Sequence, residues 1–162
     1  MKSRARKAGR ERSAANAAQT EAFMEMAIKE AKASLRSGNK GFGAVLVADG
    51  VVIAKGHDTT RQTNDPTAHA EINVIRMATR GLGTPALRGC TLLSTHEPCP
   101  MCATACVWAG IERIVFGASI ADTVKLGRKR VRIPAREVVA KGPVKIRVQG
   151  GILRDRCLEL YR

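Results

Sequence analysis

Residues 43–56 read GAVLVADGVVIAKG. Two short apolar runs, Gly43–Ala48 and Val51–Ala54, flank Asp49-Gly50, the pair that a two-residue hairpin turn prefers. Such a hairpin makes its strands antiparallel neighbours. Outward from it, the apolar period changes. Upstream, Phe23, Met26, Ala27 and Leu35 are among the apolar positions of a helix that Thr20 can cap and Gly38-Asn39 ends. Downstream, residues 57–67 are polar and loop-like, and Ala68–Thr79 has helical spacing through Ile72, Ile75 and Ala78. Cys90–Thr95 predicts a strand, Pro100–Trp108 a helix with Pro in its first turn, and Arg113–Gly117 a buried strand. A short helix near Ala121–Leu126, a basic loop, a strand over Val144–Val148 and a helix near Leu153–Tyr161 complete the chain. The order α-β-β-α-β-α-β-α-β-α predicts a mixed sheet with helices on both faces, its later strands parallel through helical crossovers.

The chain has 162 residues, 44% of them hydrophobic, enough for one core and against wholesale disorder. No apolar run is long enough to span a bilayer. The formal net charge is +14, and it is localised: residues 1–12 carry +5 and residues 125–147 carry +8. Residues 1–19 accordingly read as a basic flexible tail and 20–162 as the folded domain. The tail has no apolar core of a secretory signal. Five cysteines, an odd number, argue against a disulfide framework, and reduced thiols without an export signal predict the cytoplasm.

The chemistry concentrates in His69-Ala70-Glu71 and Pro98-Cys99-Pro100-Met101-Cys102. One imidazole and two thiolates suit zinc, and three protein ligands leave a fourth tetrahedral position for water. Glu71, two residues from His69, can take a proton from that water without binding the metal. A structural site would instead recruit a fourth ligand from His57, Cys90, Cys106 or Cys157, and spacing alone leaves these open. Cys90, Cys106 and Cys157 also read as small buried hydrophobes. Trp108 reads as a core or interface residue, His96 as a residue at the site mouth, and Glu97 as support for the cysteine loop. Asn64 and Thr67 read as positioning the loop beside His69.

The pattern H-x-E followed by P-C-x-x-C resembles the zinc-dependent cytidine/deoxycytidylate deaminase superfamily, as do GFGAVLV, NDPTAHAE, EPCPMC and RIVFGA in that order. The resemblance runs from Phe23 to Tyr161. It implies a three-layer α/β/α sandwich with a five-stranded mixed sheet, zinc on His69, Cys99 and Cys102, and Glu71 as the proton shuttle while ammonia leaves an amino-bearing ring carbon. It also implies backbone N–H groups around Ala70 and Cys99 near the reacting centre, and a homodimer. Within the superfamily, the close spacing of the two cysteines argues against the riboflavin-pathway deaminases.

Small bacterial guanine deaminases share Phe-Gly-Ala-Val and Cys-Pro-Met-Cys with this chain. That branch implies Asp122 as acceptor for the ring N–H donors of guanine and Tyr161 as a residue reaching a partner subunit. Phe42 reads as a stacking surface for a base. Asp58 stands where the branch has Asn, and a carboxylate only accepts where an amide also donates. These features predict a small nucleobase-like substrate of the guanine type. The alternatives are a tRNA wobble adenosine-to-inosine deaminase and a cytosine/cytidine-type enzyme. The tRNA enzymes carry Pro-Val where this chain has Gly41-Phe42, and a Lys-Thr-Gly stretch absent here. The basic tail and residues 125–147 keep RNA open as a partner.

Overall fold

The structure is a computed structural model describing the backbone of residues 2–162 and the side chains of residues 15–162. Met1 and the side chains of the basic cluster at residues 1–12 lie outside that range. The sheet has five strands in the order β2-β1-β3-β4-β5. They are β1 (Gly43–Ala48), β2 (Val51–His57), β3 (Thr91–His96), β4 (Arg113–Ala118) and β5 (Arg147–Gln149). β1 runs antiparallel to both β2 and β3, while β3, β4 and β5 run parallel. Asp49 and Gly50 have φ of 48° and 76°, the two positive values a tight hairpin turn demands.

Alternation along the central strands sorts the core into two layers. Val45, Val47, Leu93 and Val115 face α1 (Lys2–Arg36) and α7 (Arg154–Leu158), meeting Met24, Ala27, Ile28 and Leu158. Ala44, Leu46, Leu92, Ile114 and Phe116 face α3 (Ala70–Leu82), α4 (Pro100–Ala109) and α6 (Ala135–Ala140), meeting Val74, Ala103, Val107 and Val139. The three layers form the α/β/α sandwich that the sequence predicts. The α1 contact is close: a Cβ on Gly43 would lie 2.0 Å from the Ala27 carbonyl oxygen.

Several local expectations need correction. The helix expected from Thr20 already begins at Lys2, so the backbone of the segment read as a flexible tail, residues 1–19, belongs to α1. That stretch is rich in Ala and Arg and free of Pro, all favourable to helix. Thr20 does not cap; its hydroxyl donates back to the Asn16 carbonyl at 2.8 Å. β5 is confined to Arg147–Gln149, since Gly142-Pro143 delays pairing. The basic loop contains α6, started after Pro134, and α7 gives way to a 3-10 turn at Glu159–Tyr161. The polar loop 57–67 carries one short turn of helix, α2 (Thr60–Thr63).

Candidate metal centre and active site

Two helix starts converge on the same point. His69 is the N-cap residue of α3 and Cys99 that of α4, both in extended backbone conformation, and neither side chain caps its helix. Ordinary capping by a short polar side chain is worth about 1 kcal/mol. Here those positions carry groups that turn to each other instead. Cys99 Sγ lies 3.7 Å from His69 Nδ1, Cys102 Sγ lies 3.5 Å from it, and the two sulfurs are 3.7 Å apart. Tetrahedral zinc, with bonds of about 2.3 Å to sulfur and 2.0 Å to nitrogen, has edges of about 3.8 Å between sulfurs and 3.5 Å between sulfur and nitrogen. The three observed distances match those edges, so the residues present fit zinc. Among the described residues this trio is the cluster suited to hold an ion. The candidates for a closing fourth ligand are placed elsewhere: His57 pairs with Glu30 at 3.0 Å, and Cys90, Cys106 and Cys157 are buried in the apolar layers.

Electrostatics favour a thiolate here. The Cys99 thiol is drawn down to about 4, first by its contact with the Cys102 sulfur and then by His69. Cys102 is pushed up, first by that same contact and then by burial. The open N–H groups at both helix starts add partial positive charge.

Glu71 lies in the first turn of α3, only 5% exposed. Burial pushes its carboxyl up. Oε1 accepts the Ser94 hydroxyl at 3.2 Å, while Oε2 lies 3.7 Å from Cys102 Sγ. Glu71 is therefore beside the metal position without belonging to the ligand trio. Ser94 was not singled out in the sequence. Its signal is weak: a hydroxyl on the α3 side of a buried strand, between Leu93 and Thr95.

Asn73 also escaped the sequence reading. Its amide donates to the carbonyls of His57 and Ala68 and to Thr59, at 2.8 to 3.2 Å, stapling the loop before His69 to α3. Thr67 does position that loop, donating its backbone N–H and hydroxyl to Asp65 Oδ1. Asn64 serves it as the left-handed cap of α2, φ 54°.

The expected substrate residues separate into two groups. Phe42 and Ala70 flank the site. Phe42 is half-buried, stacked on Tyr161 at 5.1 Å and edge-on to His96 at 5.4 Å; Ala70 opens α3, buried. Asp58 is 0% exposed. Its Oδ1 accepts the backbone N–H and hydroxyl of Thr60, a turn-forming role, while Oδ2 is buried and meets no hydrogen-bond partner among the described residues.

Asp122 and Tyr161 already have partners within this chain. Asp122 forms a capping box with Ser119 at the start of α5 (Ile120–Lys125) and an ion pair with Arg154. Both its oxygens are engaged, and first of all Arg154 holds its carboxyl far below the usual range. Tyr161 is buried within this chain, its hydroxyl 2.8 Å from Thr95 Oγ1.

His96 is held at both ring nitrogens. Nδ1–H donates to the Glu97 carbonyl at 2.7 Å, and Nε2 accepts from Thr123 at 2.8 Å. Burial lowers it to about 4. Glu97 braces the site from behind, accepting the Ile120 and Ala135 N–H groups at 2.9 and 3.0 Å. Trp108 is not core: it is 77% exposed on α4.

Residues 17–118 match the family model for the cytidine and deoxycytidylate deaminase zinc-binding region. A tRNA-specific adenosine deaminase of Agrobacterium fabrum is 51% identical over 96 residues, 59% of this chain and 63% of that protein. The match thus spans a little under two thirds of that relative's length. A guanine deaminase of Bacillus subtilis is 41% identical over 108 residues, 66% of this chain and 69% of that protein. A solved structure from a study of A-to-I editing by tRNA:A34 deaminases at the wobble position of transfer RNA superimposes with a TM-score of 0.75. It is 37% identical, covering 85% of this chain and 97% of that one.

Proposed function

The chain belongs to the cytidine and deoxycytidylate deaminase family, and from that premise we propose that it is a zinc-dependent hydrolase that deaminates an adenosine in an RNA anticodon loop to inosine. The observation that carries this reading is the identity to proteins named for that reaction, 51% in sequence, joined to a fold match over 97% of the tRNA:A34 deaminase chain. Two supports for a guanine-type substrate have weakened. Asp122 is committed to its helix cap and Arg154, and Tyr161 to its own core.

Zinc held by His69, Cys99 and Cys102 would supply Lewis-acid activation of a water at neutral pH. The rest falls to this chain's side chains. Glu71, raised by burial, would carry a proton from the attacking water to the leaving amine. The Ser94 hydroxyl fixes one oxygen and leaves the other for the transfer. Phe42, half-buried, forms part of the wall beside the base, and the unpartnered Asp58 Oδ2 is an acceptor for an N–H donor.

Asp58 and the 41% identity to a guanine deaminase favour a second reading, a free guanine-type base. Residues 20–162 form the catalytic domain in either case, with the basic segment 1–19 as an RNA-contacting arm in the first. A homodimer covering Trp108 and a cytoplasmic location complete the proposal. All five cysteines are free, and no described helix is long and apolar enough to cross a membrane.

The test is a panel of ammonia-release and inosine assays on the zinc-loaded protein. It uses an anticodon stem-loop with adenosine at the wobble position, adenosine, guanine and cytidine, each at two salt concentrations. The proposal expects the stem-loop to be deaminated and its affinity to fall steeply with salt. Guanine turnover with the stem-loop untouched would replace it with the second reading.

A further inference from the structure

Two side-chain polar atoms are buried without a hydrogen-bond partner among the described residues: Asp58 Oδ2 and Arg130 Nε. Asp58 has been given a role. Arg130 has none, and its surroundings are specific. Its guanidinium carbon sits 5.4 Å from the centroid of the Phe42 ring, a cation–π contact that orients the group. The same ring stacks on Tyr161 and meets His96, three residues before the ligand Cys99. Arg130 thus stands beside the packed trio Phe42, His96 and Tyr161, which leads to the cysteine loop.

The loop that carries it is anchored. Arg128 donates from two nitrogens to the Tyr161 carbonyl, at 2.9 and 2.6 Å. Arg130 donates through Nη1 to the Lys129 carbonyl at 2.9 Å, and no carboxylate pairs with it among the described residues. Its neighbours in sequence, Lys125, Arg128, Lys129 and Arg132, are all cationic. Its Nε–H is shielded without an acceptor, which is costly, while the residue as a whole is only partly buried. In a loop whose charged residues are all cationic, the missing acceptor is an anion brought by the ligand. Arginine's planar fork matches phosphate.

We propose that Arg130 is a substrate-binding residue that takes a phosphate attached through ribose to the base held at the metal site. The inference rests on the proposed function for the identity of that base. The phosphate group can belong to a free nucleotide or to an RNA backbone, and the two are separated below.

The test is equilibrium binding to the zinc-loaded full chain carrying Glu71→Gln, so that ligands survive, with and without Arg130→Gln. The ligands are adenosine, adenosine 5′-monophosphate and the anticodon stem-loop. With Arg130 present, a phosphate-bearing ligand binds at least about tenfold more tightly than adenosine, and Arg130→Gln removes most of that margin; Arg130→Lys, which keeps the charge but not the fork, restores part of it. Lys32→Gln, an equal loss of charge on α1, leaves the margin intact. A margin for the monophosphate assigns the contact to a nucleotide's own phosphate. A margin for the stem-loop alone assigns it to the RNA backbone, and the slope of log affinity against log salt then flattens by about 0.7 in Arg130→Gln. The inference is overturned if neither phosphate-bearing ligand outbinds adenosine. It is equally overturned if Arg130→Gln, with an unchanged thermal midpoint, keeps the full margin. A margin that depends on Arg130, in a wild-type protein that forms no inosine, upholds the contact and refutes the adenosine reading separately.

Discussion

The metal end of the site and its outer rim are built by opposite means. At the metal end, the chemistry is fixed by short spacings within two helix starts: His69 and Glu71 on α3, Cys99 and Cys102 one turn apart on α4. At the rim, Phe42, His96, Arg130 and Tyr161 come from four separate segments and meet only because the sheet and the C-terminal turn bring them together. Where a function needs a fixed local geometry, a few residues of sequence must carry it. Where it needs only a surface, many sequences can build it.

The comparison breaks first at the metal end. Cys102→Ser should lose the zinc and reduce turnover to background, measured by metal analysis beside an ammonia assay. Turnover retained without metal would remove the centre from the reaction. Glu71→Gln should keep one zinc per chain while activity falls about 10² to 10⁴-fold; near-normal turnover would give the proton transfer to another group.

This division also explains what could be read before the fold was known. The hairpin at Asp49-Gly50, both core layers and the convergence of His69 with Cys99 and Cys102 follow from turn chemistry, alternation and ligand spacing. The roles of Asp122 and Tyr161 do not. Asp122 meets Arg154 from 32 residues away, and Tyr161 meets Thr95 from 66. Local sequence contains neither partner. Ser94 and Asn73 were missed for the same reason: each acts through a contact set by packing, not by a motif. The helical start of the chain is a different miss, since charge density was read as flexibility where Ala and Arg favour helix.

The rim is tested next through His96. Its folded value of about 4 lies below the ordinary 6.5. The unfolded chain therefore binds a proton that the native state refuses. Stability should be unaffected by His96 above pH 6.5 and should fall as pH drops from 6.5 toward about 4, by about 3 kcal/mol in all. Denaturant unfolding across that window checks it, and His96→Gln should flatten the dependence. An equal slope in the variant would assign the acid sensitivity elsewhere.

Ser94→Ala sharpens the boundary between the two regions, since its only stated work is to hold Glu71. Turnover should fall about tenfold with zinc retained. The acid limb of the pH–rate profile should move upward, because the lost hydrogen bond lowers the Glu71 carboxyl. An unmoved limb would make Ser94 a packing residue.

The smallest effect belongs to Asp122→Asn. Loss of the cap and ion pair should cost about 1 kcal/mol in denaturant unfolding. The KM for any substrate should not change. A selective rise in the KM for guanine would return Asp122 to substrate recognition and revive the guanine reading.

The proposed activity is deamination of adenosine within RNA by a three-ligand zinc site served by Glu71. The direct measurement is the nucleoside composition of an anticodon stem-loop after incubation with the zinc-loaded protein and, in parallel, with its Glu71→Gln variant. Inosine is expected in place of the wobble adenosine with the wild-type chain, and unaltered adenosine with the variant. Unaltered adenosine with both, while the wild-type protein releases ammonia from free guanine, would contradict it.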